Sequence, residues 1–165
     1  MIEKLNNLLQ TKDKEWHDAN NDLLLLSLMF DKEVDPLDKD FYRDMLGDEL
    51  YNYTLSKDDK DVIVTRLKQF IDTNSSFAST AVGILGECND DIIYRYLYVQ
   101  LKDKYKLNPN LASSILRSLH GRMFDDFNKL LVDIKNDTGI NNELRLEADR
   151  IYSSYKKRFQ NEIPK

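Results

Sequence analysis

Only one cysteine, Cys88, occurs in 165 residues, so no internal disulfide can form, which fits a reducing compartment. Glycine (five) and proline (three) are scarce, and no Asn-Gly hairpin turn or clear alternating run is present, so strands are poorly supported. Long hydrophobic runs are missing as well. The longest, Leu23 to Phe30, is eight residues and contains Ser27, against the ~20 that a spanning helix needs. No secretory leader is expected, because Met1-Ile2-Glu3-Lys4 runs into mixed polar sequence without an apolar core. Histidine is limited to His17 and His120, with no His-Glu-x-x-His and no Cys or His at ligand spacing, so neither a metal nor a cofactor is expected.

What is present supports one folded domain spanning 1–165. Hydrophobic residues make up 41% of the chain and seventeen residues are aromatic, enough for a packed core. The net charge of −5 is uneven. Met1 to Gly83 carries 17 acids and 10 bases, while Ile84 to Lys165 carries 12 acids and 14 bases. An acidic front half argues against nucleic acid, whose binding is driven by neutralised phosphates, and favours a cationic protein partner. The cluster Arg145, Arg150, Lys156, Lys157 and Arg158 is interrupted by Glu147 and Asp149 and is a weak signal against that balance. Many Asp, Lys and Asn and only five Ala point to an AT-rich gene.

Apolar residues recur at helical spacing, which predicts an all-α fold of at least seven helices. Leu5, Leu8 and Leu9 start a short helix, 13–31 a second, and Phe41, Met45 and Leu46 mark a third. Val34-Asp35-Pro36 breaks the pattern, because a residue before proline is pushed out of the helical region. Ser56-Lys57-Asp58-Asp59 is a helix start with acids in its first turn. Five further helices are expected over 75–87, 90–105, 109–120, 124–136 and 142–159. Their short linkers imply antiparallel neighbours.

The chain also matches itself. Shifted by 34, Phe77-Ala78-Ser79-Thr80-Ala81-Val82 falls on Leu111-Ala112-Ser113-Ser114-Ile115-Leu116, Ile93 on Phe127 and Leu97 on Leu131. Shifted by 30, Asp61-Val62-Ile63 falls on Asp91-Ile92-Ile93. Two-helix units of this length, with small residues in the first helix, resemble HEAT-like helical repeats over about 58–159, with 1–57 as preceding helices. The resemblance implies a short curved stack of antiparallel pairs whose second helices line a concave partner-binding face. An irregular helical bundle is the alternative.

Tyr94, Tyr98 and Lys102 are spaced i, i+4, i+8, with Arg95 adjoining, on a helix where Ile92, Ile93, Tyr96, Leu97, Val99 and Leu101 leave little polar girth. Such a helix is central to a fold or partly covered by a partner. The resemblance places Tyr94, Arg95, Tyr98 and Lys102 on the concave face, flanked by Val64, Lys68, Asn128 and Val132. Tyr and Arg are the types that dominate interface energetics. A second candidate surface is the acid-rich stretch from Asp31 to Glu49, represented by Asp38, Asp44 and Asp48. It fails as a calcium loop, since Pro36 stands where a glycine is needed and Tyr42 where a bidentate Glu is needed. Cys88 and His120 each close a first helix and are weighed as a nucleophilic pair, against a small buried Cys and a polar helix-end His. Gly83 and Gly86 read as a small face for close helix packing.

Three function classes follow. Small size, acidity and the lack of a catalytic constellation resemble the general character of immunity proteins from bacterial toxin systems, including contact-dependent inhibition. That implies a cytoplasmic, non-catalytic protein that binds a cationic toxin domain. The other two are a helical-repeat scaffold or adaptor, and an enzyme built from dispersed carboxylates and tyrosines.

Overall fold

The computed structural model describes residues 54–122 and 125–160, with Leu25 (helical, buried) and Asp44 (helical, exposed) as isolated positions. Among these residues the protein is all-α, with six helices and no strand. The helices are α1 (Lys57–Asp72), α2 (Ala78–Gly86), α3 (Asp91–Lys104), α4 (Pro109–Leu119), α5 (Asp125–Asn136) and α6 (Asn142–Gln160). The helices expected before residue 54 lie outside the described residues, as do His17, Asp38 and Asp48. No described helix is long and apolar enough to cross a membrane. The chain divides into two compact units, Met1–Asp90 and Asp91–Lys165.

In the first unit, α1 begins where the side chain of Ser56 accepts a hydrogen bond from the Asp59 backbone N–H, with Asp58 and Asp59 in the first turn. It stops at Thr73, whose hydroxyl donates to the Gln69 carbonyl, and Asn74 then turns the chain at φ 50°. That turn delays the next helix to Ala78, three residues later than the sequence suggests. Ile63, Leu67, Phe70 and Ile71 of α1 pack on the apolar face of α2, where Ala78 and Ala81 admit close approach. Phe70 and Phe77 close the hairpin edge to face at 5.1 Å. Each fully buried aliphatic side chain contributes roughly 1.5–3 kcal/mol, so this stripe outweighs any helix propensity. Gly83 takes no part in it. It is exposed, and no described atom lies within 4 Å of where a Cβ would stand, which corrects the close-packing role expected of it.

The second unit is organised by a repeated register. Ser113 bonds to Glu147, His120 Nε2 stands 3.3 Å from Ser154 Oγ, and the Gly121 N–H donates to the Tyr155 hydroxyl at 3.2 Å. Every one of these pairs is 34 residues apart, so α4 and α6 run parallel and in step. Between them α5 runs back, with Lys135 paired to Asp149 at 2.9 Å near one end and Phe127 against Tyr155 near the other. The ends of α3 and α5 come together at Asp137, which receives the Tyr105 hydroxyl at 3.2 Å and the Lys106 ammonium at 2.8 Å. This contact joins the C-terminal ends of the two helices. Leu111, Ala112, Ile115, Leu116 and Leu119 of α4 supply the centre of this core, and α3 and α6 both pack on α4. Its start is set by Asn108, whose side chain accepts from the Leu111 N–H, and by Pro109 in the first turn.

Gly83→Ala should raise unfolding stability by about 0.4–1 kcal/mol, since it removes a helix-interior glycine at an open position. Chemical denaturation of the two proteins checks this. A loss of stability would mean that the position is packed after all.

Candidate functional site

α3 forms because Asp91 sits in its first turn, Lys102 and Lys104 in its last, and Ile93, Tyr94, Leu97 and Leu101 make one continuous buried stripe. The row expected to face a partner splits across this helix. Tyr94 is only 5% exposed and belongs to the core, with the Arg122 guanidinium over its ring at 4.6 Å. Tyr98 is half-buried, and Arg95 and Lys102 are exposed. The geometric reason is the helical period: Tyr94, Leu97 and Leu101 share the side packed against α4, and Tyr98 lies at its margin.

The opposite side of α3 carries what the sequence reading placed in the apolar girth. Ile92 is 72% exposed and Val99 is 48% exposed, standing with Arg95 and Lys102 on one face. Both residues were visible in the pattern, but their direction was not, because an all-round apolar helix does not say which side the fold covers. Val64, Lys68, Asn128 and Val132, expected as flanks, are each half-buried. Of the acidic candidates, Asp44 is exposed and the other two fall outside the described residues.

The remaining candidates sit in structural contacts among the described residues. Cys88 is fully buried, its thiol 3.9 Å from the Ile84 carbonyl, and it behaves as a small core residue. It belongs to the first unit and His120 to the second. His120 Nε2 lies 3.3 Å from Ser154 Oγ, and the Ser154 hydroxyl donates to the Ile151 carbonyl at 2.7 Å. Glu147 is a clamp: its carboxylate accepts from Ser113 and, at 2.7 Å, from Arg117 Nε, while Arg117 also donates to Ser113 Oγ at 3.1 Å. Both carboxylate oxygens are engaged in joining α4 to α6. Asp137 is similar. The Lys106 ammonium bonded to it, then the Gly139 N–H, hold its carboxyl below the usual carboxylate range, and the same contact raises Lys106 above its usual value. Among the described residues no three His, Cys, Asp or Glu side chains are grouped to hold a metal ion.

The charge divides where the structure divides: Met1–Asp90 has 19 acids and 10 bases, a charge of −9, whereas Asp91–Lys165 has 10 acids and 14 bases, a charge of +4. Comparison with family models, with curated proteins and with solved structures finds no match.

Tyr94→Ala should cost about 3 kcal/mol of stability by emptying a core position, whereas Ile92→Ser should change stability by less than about 0.5 kcal/mol. Urea unfolding of both variants measures the contrast. Equal losses would mean that Ile92 is buried by the protein itself.

Proposed function

We propose that this chain is a non-catalytic cytoplasmic protein-binding module, an immunity protein that neutralises a cationic bacterial toxin domain by direct binding. The observation that carries the reading is the concentration of negative charge, −9, in the first compact unit. Toxin domains that attack nucleic acids tend to be cationic, and an acidic inhibitor gains association rate and orientation from that complementarity. The acids at Asp38, Asp44 and Asp48 are the proposed steering groups, with Arg95, Tyr98 and Lys102 as contact residues in the second unit. Nucleic acid is disfavoured as a partner because it would be repelled by the first unit.

A helical-repeat scaffold is the second reading, favoured by the 34-residue offset between α4 and α6 contacts. That offset equals the self-match of the sequence and supports a HEAT-like stack. Genetic context separates the two readings. An immunity protein is encoded beside a large secreted protein whose C-terminal domain is toxic, and its co-expression with that domain restores growth. Failure to protect would leave the scaffold.

With the toxin domain as binding partner, association should slow as salt rises through 0.1 M, where the Debye length is ~10 Å. Replacing Asp38, Asp44 and Asp48 together by Asn should lower the association rate by about tenfold and change the dissociation rate less. Stopped-flow or surface-plasmon kinetics measure both. A salt-independent association rate contradicts the proposal.

A further inference from the structure

The helices of the second unit form two hairpins. α3 packs on α4 and α5 on α6, and the hairpins share the contact of α4 with α6. That seam is fastened along its length, from Ser113 and Arg117 on Glu147 to the Gly121 N–H on the Tyr155 hydroxyl. At the Tyr155 end the Arg122 guanidinium also covers Tyr94 of α3. At the opposite end α3 is held by a carboxylate.

Asp137 stands just past α5, and its two oxygens face different partners. Oδ1 accepts from the Gly139 N–H at 2.9 Å and shapes the turn into α6. Oδ2 accepts from the Tyr105 hydroxyl at 3.2 Å and from Lys106 Nζ at 2.8 Å, both just beyond the end of α3. Lys106 Nζ also lies 5.4 Å from the centre of the Tyr105 ring, so the two donors reach the carboxylate together. The Asp137 side chain is 19% exposed against 61% for Lys106, so the acceptor is sheltered while its cation stays in water. The neighbouring charges are engaged or turned outward. Lys135 pairs with Asp149, and Arg145 Nε donates to the Lys135 carbonyl. Asp133 on α5, Glu143 on α6, and Lys102 and Asp103 on α3 are exposed, and Lys104 is half-buried. α4 begins with Asn108-Pro109-Asn110 and brings no titratable group.

We propose that Asp137 is a charge-operated latch: ionised, it holds the α3–α4 turn to the α5–α6 turn, and once neutral it lets the two turns part while α4 stays seated on α6. A protonated carboxyl has no charge to hold Lys106 and can present Tyr105 with a donor in place of an acceptor. The bond from Lys106, then that from Gly139, favours the ionised form and holds the Asp137 carboxyl below its usual range. The latch is therefore closed above the ordinary carboxyl value of ~3.9, and it is lost as pH falls through the lower value of the folded chain. Lys106 is raised by the same contact, so the latch stays closed well into the alkaline range. Leu107, 83% exposed in the same turn, is positioned by the closed state. The latch needs no partner, so its failure leaves the proposed toxin binding untouched.

Asp137→Asn tests this at neutral pH, because the amide keeps an acceptor for the Gly139 N–H and replaces Oδ2 by a donor. Nitroxide labels at Leu107 and Thr138, both exposed, report the separation of the turns by electron spin resonance. The expected result is a longer and broader distance in the variant than in the wild type. Exchange of the Tyr105, Leu107 and Asn108 amides, which bond to the end of α3, should be about tenfold faster, and that of Gly121 unchanged. In the wild type the Tyr105 side-chain resonances should follow a one-proton step on acidification that Asp137→Asn lacks. If circular dichroism shows that Asp137→Asn is not helical, Lys106→Gln should lengthen the same distance. An unchanged distance in the folded variants, or equal loosening at Gly121, overturns the proposal.

Discussion

The hydroxyl of Tyr155 holds the point on which the second unit depends. It accepts from the Gly121 N–H at 3.2 Å and lies 3.3 Å from the Arg122 carbonyl and 3.5 Å from that of Leu119, at the end of α4. Its ring meets Phe127 of α5 and His120 edge to face. One buried side chain on α6 therefore fixes the end of α4, the turn at Gly121 (φ 95°, a conformation that favours glycine), and the approach of α5. Backbone groups that a helix end leaves over would otherwise be buried without partners, at about 1–3 kcal/mol each.

The consequences reach α3. With the backbone of Arg122 held by Tyr155, its guanidinium covers the ring of Tyr94 and closes the inner side of that helix. The outer side, with Ile92, Arg95, Val99, Lys102 and Asp103, stays exposed. Internal charges are spent on register: Glu147 ties α4 to α6, Asp149 ties α6 to α5, and Asp137 ties α5 to the end of α3. Surface pairs of this kind contribute little stability one by one, but each selects one alignment of neighbouring helices.

Helix positions were legible because each helix has a continuous buried stripe and a local start signal. Ser56 and Asn108-Pro109 mark their starts to the residue. α2 begins later than its pattern suggests because Asn74 adopts a left-handed turn that no hydrophobic period reveals. That Tyr94 would be core while Tyr98 lies at its margin was hidden because their helix is apolar nearly all round, so direction depended on where α4 lay. Gly83 was misread for a related reason, as small residues in a helix mark close packing only when something lies opposite them. The roles of Glu147 and Tyr155 could not be read at all. Acids and tyrosines are common here, and only the 34-residue spatial offset singles out these two.

The register of the second unit rests on Tyr155. Equilibrium unfolding of Tyr155→Phe tests this, since the change removes the hydroxyl and keeps the packed ring. The expected result is a loss of about 1–3 kcal/mol, with faster hydrogen exchange at the Gly121 amide. A change of less than about 0.5 kcal/mol with Gly121 still protected would contradict it.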